Sequence, residues 1–194
     1  MTPFIAELIG TAVLITLGLS VVANVLLNDT KGNNSGLIVI GLAWGIAVFV
    51  GVYISADISG AHLNPAVTIG LAVAGKFSWS EVPLYILAQF IGAFIGSILT
   101  WLTYKDHFSA TKNPGNILAV FSTGPAIRKH MNNFMTEVIA TFIFMLSIFF
   151  IQKGDMKLGS LDALPVALLV IGIGLSMGGP TGYSINPARD LGPR

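Results

Sequence analysis

Long apolar runs alternate with short polar stretches along this chain. Five runs stand out: Phe4–Leu27, Gly36–Ile54, Val82–Tyr104, Asn133–Ile151 and Leu161–Met177. A helix crosses a bilayer with roughly 20 apolar residues, so the first four qualify easily and the fifth is short. The polar stretches between them are Asn28–Ser35, Lys76–Glu81, Lys105–His130 and Gln152–Ser160. The longest, Lys105–His130, carries Asn113-Pro114-Gly115 and Gly124-Pro125, both read as turns. The opening run is not a signal peptide, because it lacks a basic leader, contains Glu7 and exceeds the usual apolar length.

Two further apolar segments are too short to span. Asn64–Gly75 reads NPAVTIGLAVAG. A helix of about 11 residues reaches only ~16 Å, half of a ~30 Å hydrocarbon core. The second segment starts at Asn186 and reads NPARDLGPR up to Arg194. Both open on Asn-Pro-Ala: Asn64, Pro65, Ala66 and Asn186, Pro187, Ala188. Asn is a preferred helix N-cap and Pro is favoured at the first helical position. Each segment is therefore expected to be a half-helix with its N-terminus inside the membrane.

The chain also repeats. Ala6–Thr11 is similar to Thr136–Thr141, and the two Asn-Pro-Ala motifs follow at a comparable interval. The first unit holds an odd number of spans, so the second starts on the opposite face. That predicts an inverted repeat with its pseudo-two-fold axis in the membrane plane. The expected organisation is a first repeat over 1–104, a connecting loop over 105–132 and a second repeat over 133–194. The repeat places a sixth span after Arg194, so the second unit is expected to be truncated within its half-helix. With the N-terminus inside, Lys76, Lys153 and Lys157 fall on the cytoplasmic side. Lys31, Lys105, Lys112, Arg128 and Lys129 fall outside, which runs against the usual positive-inside bias.

Composition narrows the class. Only 10% of the 194 residues are charged and 54% are hydrophobic, with a mean hydropathy of +0.80. Soluble domains carry roughly 25% charged residues, so a soluble enzyme is excluded and lipid is the expected solvent. There is no cysteine, hence no disulfide, thiolate metal site or cysteine nucleophile. A net charge of +1 offers no field for nucleic acid. The 22 glycines and 9 prolines suit closely packed or broken membrane helices.

Facing half-helix N-termini have a defined electrostatic consequence. Each carries about half a positive elementary charge, so the midplane repels cations, hydronium included. The Asn64 and Asn186 amides beside that centre donate to a passing oxygen. A water accepting two such bonds is turned away from proton relay. These features point to a pore for neutral, oxygen-bearing solutes.

At these residues the chain resembles a known family. Ser59–Thr68 (SGAHLNPAVT) and Gly182–Pro193 (GYSINPARDLGP) look like the signature loops of the aquaporin superfamily, the major intrinsic proteins. Asp190, directly after NPAR, resembles the glycerol-facilitator branch. The resemblance implies an all-α membrane fold: a right-handed inverted-repeat bundle of six spans plus two re-entrant half-helices. It also implies a homotetramer with one pore per subunit, which the sequence supports only through small-residue helix faces such as Gly41-xxx-Gly45 and Gly92-xxx-Gly96.

Carried over by position, the family's selectivity filter falls on Trp44, Gly174, Tyr183 and Arg189. Gly174, where water-selective relatives carry His, implies a wider filter. Trp44 and Tyr183 offer apolar walls for a CH backbone, and Arg189 offers fixed N–H donors to hydroxyls. The glycerol branch usually has Phe at the Tyr183 position, so Tyr183 adds a hydroxyl. Plainer roles also exist: Trp44 as a lipid-facing anchor, Tyr183 as packing, Gly174 as a site of close helix approach, Arg189 as the ion-pair partner of Asp190. Asp190 itself is expected to shape its loop rather than touch solute.

Glu7 and Glu137 lie one turn into the first and fourth spans. Non-helical backbone at membrane depth needs hydrogen-bond partners, and the resemblance implies that these carboxylates brace the two loops. It also implies that Gly60, Ala61, His62, Leu63 and Gly182, Tyr183, Ser184, Ile185 turn their carbonyls to the lumen. His62 has no companions at metal-ligand spacing, so pore lining or loop bracing is expected of it. Asp57, seven residues before Asn64, is expected at the inner mouth, biasing it against anions.

The function implied is a passive channel for glycerol and other small neutral solutes plus water, in a multi-pass plasma-membrane protein. Urea, dihydroxyacetone and undissociated lactic acid belong to the same solute class. No catalytic residue, metal or cofactor is expected. The alternatives are a water-selective aquaporin and a secondary transporter with broken helices.

Overall fold

The computed structural model describes residues 1–151 and 161–194. The Gln152–Ser160 stretch, with Lys153 and Lys157, lies outside the described residues. Nine helices form among the described residues and no strand. Five are long and apolar enough to cross a membrane: α1 (Pro3–Leu26), α2 (Leu37–Ser59), α4 (Val82–Thr103), α7 (His130–Ile151) and α8 (Leu164–Thr181). They coincide with the five apolar runs. The fifth is shifted towards its C-terminus and runs past Met177, because Pro180 sits in the last turn without ending the helix. The chain is thus a multi-pass membrane protein.

Two short helices, α3 (Pro65–Val73) and α9 (Pro187–Leu191), do not span. Asn64 caps α3, its Oδ1 accepting the Ala66 N–H at 2.8 Å. Asn186 caps α9, accepting from Ala188 at 3.0 Å and Arg189 at 3.2 Å. Pro65 and Pro187 occupy the first helical position, where no N–H is required.

The Lys105–His130 stretch departs from its expected turns. It contains α5 (Lys105–Ala110) and α6 (Pro114–Phe121). Asn113-Pro114 is a third cap of the same kind, with Asn113 Oδ1 accepting from Gly115 at 2.9 Å. The Asn-Pro pair begins a helix here instead of turning the chain, because the apolar Ile117, Val120 and Phe121 that follow have a core to pack on. Gly124-Pro125 does lie in non-helical chain.

Packing follows the small residues. α1 lies against both α2 and α4, α2 against α8, and α8 against α7. α6 rests on α1, tied by the Asn116 Nδ2 bond to the Leu26 carbonyl at 3.1 Å. The outward faces of α2, α4 and α7 are studded with exposed Leu, Ile and Phe, as a lipid-solvated surface requires.

Candidate functional site: an internal path crossed by two asparagines

The two short helices meet N-terminus to N-terminus. Asn64 Nδ2 donates to the Ile185 carbonyl at 2.9 Å, and Asn186 Nδ2 donates to the Leu63 carbonyl at 2.8 Å. Each cap residue therefore holds its own helix with Oδ1 and the opposite loop with one amide hydrogen. One hydrogen remains on each amide, and both residues line a cavity of about 270 Å³.

The loops entering the caps share an unusual backbone. Gly60 (φ 78°) and Gly182 (φ 88°) end α2 and α8 in the left-handed region. Ala61 and Leu63 (both φ 49°) repeat that conformation in the first loop, as do Tyr183 (φ 43°) and Ile185 (φ 39°) in the second. A left-handed L-residue costs roughly 1–2 kcal/mol, so something must hold these four.

Carboxylate acceptors do so. Glu7 is fully buried. Its Oε1 accepts Ser59 Oγ at 2.7 Å and the His62 N–H at 2.9 Å. Its Oε2 accepts the Leu63 N–H at 2.7 Å and Gln89 Nε2 at 2.8 Å. Three N–H donors and one hydroxyl around one carboxyl suit an ionised group. Glu137 accepts the Ser184 and Ile185 N–H groups at 3.3 and 3.4 Å. Asp190 also acts on the second loop. Its Oδ1 accepts from Thr123 N at 2.6 Å and Thr123 Oγ1 at 2.9 Å, and Thr123 Oγ1 reaches Ser184 Oγ at 3.2 Å.

Three of the four positions expected to form a filter converge on the cavity: Trp44, Tyr183 and Arg189 line it. The Arg189 guanidinium lies 4.6 Å from the Trp44 ring centroid, within cation–π range. Its Nη1 also reaches the Phe121 carbonyl at 3.5 Å and Asp190 Oδ1 at 3.7 Å. Trp44 is buried, which removes its role as a lipid-facing anchor. Gly174 does not line the cavity. The Tyr183 ring occupies the space beside it: a Cβ on Gly174 would sit 2.9 Å from Tyr183 Cζ, and one on Gly178 would sit 2.7 Å from Cδ1. The missing side chain thus seats the tyrosine and does not widen the path directly.

The remaining wall is mostly apolar, including Leu14, Val48, Val67, Phe144, Ile148 and Val170. Gly60, Ala61, His62 and Leu63 line it from the first loop, with Tyr183, Ser184 and Ile185 from the second. The Leu63 and Ile185 carbonyls already accept an asparagine hydrogen, so the less engaged acceptors lie earlier in each loop. Gly182 does not line the cavity; it packs beside Thr123. Asp57 is exposed and is not a lining residue, whereas Asp162 is. Among the described residues no three His, Asp or Glu side chains cluster to hold a metal.

Sequence reasoning missed Gln89, Thr68, Ser59 and Tyr85, all buried and all bonded to the first loop or its brace. A lone amide inside the Val82–Thr103 span was the available signal. Thr123 and Phe121 carried none, because their contacts with α9 join residues far apart in the chain.

A multi-pass helical protein with two short helices meeting over an internal cavity is the class defined here. The chain belongs to the major intrinsic protein family, whose model matches residues 1–194. It is 53% identical over 194 residues to the glycerol uptake facilitator protein of Streptococcus pneumoniae, covering 100% of this chain and 82% of that one. It is 54% identical, with the same coverage, to the probable glycerol uptake facilitator protein of Thermotoga maritima. Among solved structures it is similar to the X-ray structure of the aquaglyceroporin from Plasmodium falciparum. That match has a TM-score of 0.88 and 37% identity, covering 98% of this chain and 78% of the other.

Proposed function

We propose that this chain forms a passive channel carrying glycerol and water across the cell membrane while excluding protons and ions. The observation that carries this is the meeting of unlike walls in the cavity. Trp44 and the Tyr183 ring form an apolar side, and Arg189 presents charged N–H donors against it. A polyol has the same two-sided character, with carbons on one edge and hydroxyls on the other. The names of the relatives, glycerol uptake facilitators and an aquaglyceroporin, agree with it. Urea, dihydroxyacetone and undissociated lactic acid are neutral and small enough to share the path.

In this reading Trp44, Tyr183 and Arg189 screen the solute, with Gly174 setting the Tyr183 position. Asn64 and Asn186 orient each passing oxygen between two donors and interrupt proton relay. Glu7 and Glu137 are structural braces. The halves 1–104 and 133–194 act as an inverted pair joined by 105–132, and four copies assemble as a homotetramer with one path each. The protein is a transporter and not an enzyme, and needs no cofactor.

Stopped-flow swelling of proteoliposomes with the full-length chain tests this. Glycerol flux is expected well above lipid background, linear in concentration and independent of ion or proton gradients. Saturation with counterflow identifies a coupled transporter instead, and water flux without glycerol flux identifies a water-selective pore.

A further inference from the structure

A buried chain of hydrogen bonds determines how His62 meets the cavity, and it can be followed atom by atom from Glu7. Glu7 Oε2 stands 2.8 Å from Gln89 Nε2. A carboxylate admits one orientation of that amide, because the flipped form sets Gln89 Oε1 against another acceptor. So oriented, Nε2 also donates to Thr68 Oγ1 at 2.9 Å.

The Thr68 hydroxyl has one hydrogen and two lone pairs. Three groups surround it. Gln89 Nε2 is a donor only, and the Asn64 carbonyl, at 3.2 Å, is an acceptor only. His62 Nδ1, at 3.1 Å, is either. Donation to Nδ1 would leave the hydroxyl and the Asn64 carbonyl facing one another lone pair to lone pair. All three contacts are hydrogen bonds only if the hydroxyl donates to Asn64 and Nδ1 carries a hydrogen. The other ring nitrogen, Nε2, is then unprotonated.

The ring has little freedom to present anything else. Phe77 packs edge-on at 4.6 Å and Tyr85 at 4.9 Å between centroids. Tyr85 is itself pinned by its hydroxyl bond to the Ser59 carbonyl at 2.9 Å. The Nδ1 edge faces Thr68. The Nε2 edge lies on the side of Gly60, which like His62 lines the cavity. We infer that Glu7, Gln89 and Thr68 hold His62 as the neutral Nδ1–H tautomer, with its Nε2 lone pair an acceptor for solute hydroxyls in the cavity.

This rests on the proposed channel function and deepens it. Asn64, Asn186 and Arg189 offer hydrogens, whereas His62 accepts one. A hydroxylated solute, at once donor and acceptor, is served at both stations. Gln89 and Thr68 are positioning residues: they touch no solute and act through the imidazole.

The test reads the tautomer directly. The chain has three histidines, so ¹⁵N-histidine labelling gives a sparse spectrum, and the His62 signals are those lost in His62→Gln. In the full-length native protein at alkaline pH, His62 is expected with Nδ1 protonated and Nε2 bare; a protonated Nε2 overturns the inference. Thr68→Val is expected to mix the two tautomers and Thr68→Ser to restore the native one. An unmixed spectrum in Thr68→Val removes Thr68 and Gln89 from the chain of control and overturns it equally. Glycerol permeability in Thr68→Val is expected to fall about five-fold, the scale of one net hydrogen bond, and to recover in Thr68→Ser. The spectrum stands apart from transport, so a protein that carries no glycerol leaves the tautomer result intact.

Discussion

The two loops that meet at the asparagine pair share one backbone and differ in what holds it. Both run from a left-handed glycine through two left-handed L-residues to a capping asparagine. In the first loop, four donors at 2.7–2.9 Å converge on the fully buried Glu7. In the second, Glu137 accepts two N–H groups at 3.3 and 3.4 Å, and a different carboxylate, Asp190, works from the side. Asp190 binds Thr123 and so draws the end of α6 onto α9, where the Phe121 carbonyl meets Arg189. The same strained backbone is thus held from behind in one half and by a borrowed strap in the other. The strap has a second effect: it sets part of the 105–132 connection against the Arg189 side chain.

The largest expected effect is on the first brace. Glu7→Gln turns two hydrogens towards two of the four existing donors, whichever oxygen the amide nitrogen replaces, in a buried site. Charge-assisted bonds are about twice as strong as neutral ones, so glycerol permeability per folded protein is expected to fall at least about ten-fold. The thermal midpoint by size-exclusion is expected to fall with it. Glu137→Gln is expected to cost about three-fold in the same assay, since its bonds are longer and Asp190 still acts. Equal losses in the two variants break the comparison.

Asp190→Ala comes next. It releases both Thr123 donors, and about a five-fold drop in glycerol permeability is expected, with Asp190→Asn milder because one acceptor survives. A loss confined to glycerol sharpens the strap argument, because it shows that the strap acts through Arg189. An equal loss for water makes Asp190 a general support of the second half.

Gly174→Ala is expected to reduce glycerol flux about three-fold. The new Cβ, 2.9 Å from Tyr183 Cζ, pushes the ring towards the cavity. Adding Tyr183→Leu is expected to recover most of the flux; if it does not, the ring is not what Gly174 accommodates. The smallest effect belongs to Asp57→Asn. Its carboxylate is exposed and outside the cavity, so flux of glycerol and of weak acids is expected to change less than about two-fold across pH, exposed charges being screened within ~10 Å at ordinary salt. A larger rise for acids restores a role at the mouth.

Much of the fold was legible because lipid imposes simple rules. Each span had to be a long apolar run, and each half-helix announced itself with Asn-Pro. The same grammar at Asn113-Pro114 was misread as a turn, since nothing nearby in the sequence shows that α6 has α1 to lean on. Spacing and resemblance singled out Trp44, Tyr183 and Arg189, and all three line the cavity. That Gly174 seats Tyr183 was not legible, because glycine leaves no trace of what fills its place. Gln89 and Thr68 are single polar residues within apolar segments, and their meaning appears only once Glu7 lies beside them.

Sequence by itself determined the solvent, the number of spans in the chain, the positions of the two half-helices and of the carboxylates Glu7 and Glu137 in the first and fourth spans. These follow from local rules: apolar length, capping chemistry and the cost of charge in lipid. Tertiary structure alone decided which acceptor holds which loop, that each asparagine reaches across to the opposite carbonyl, and which nitrogen of His62 carries its hydrogen. Those outcomes depend on distances between residues up to 123 positions apart. Hydrogen bonds form or fail over tenths of an ångström, a precision set by packing and not by pattern.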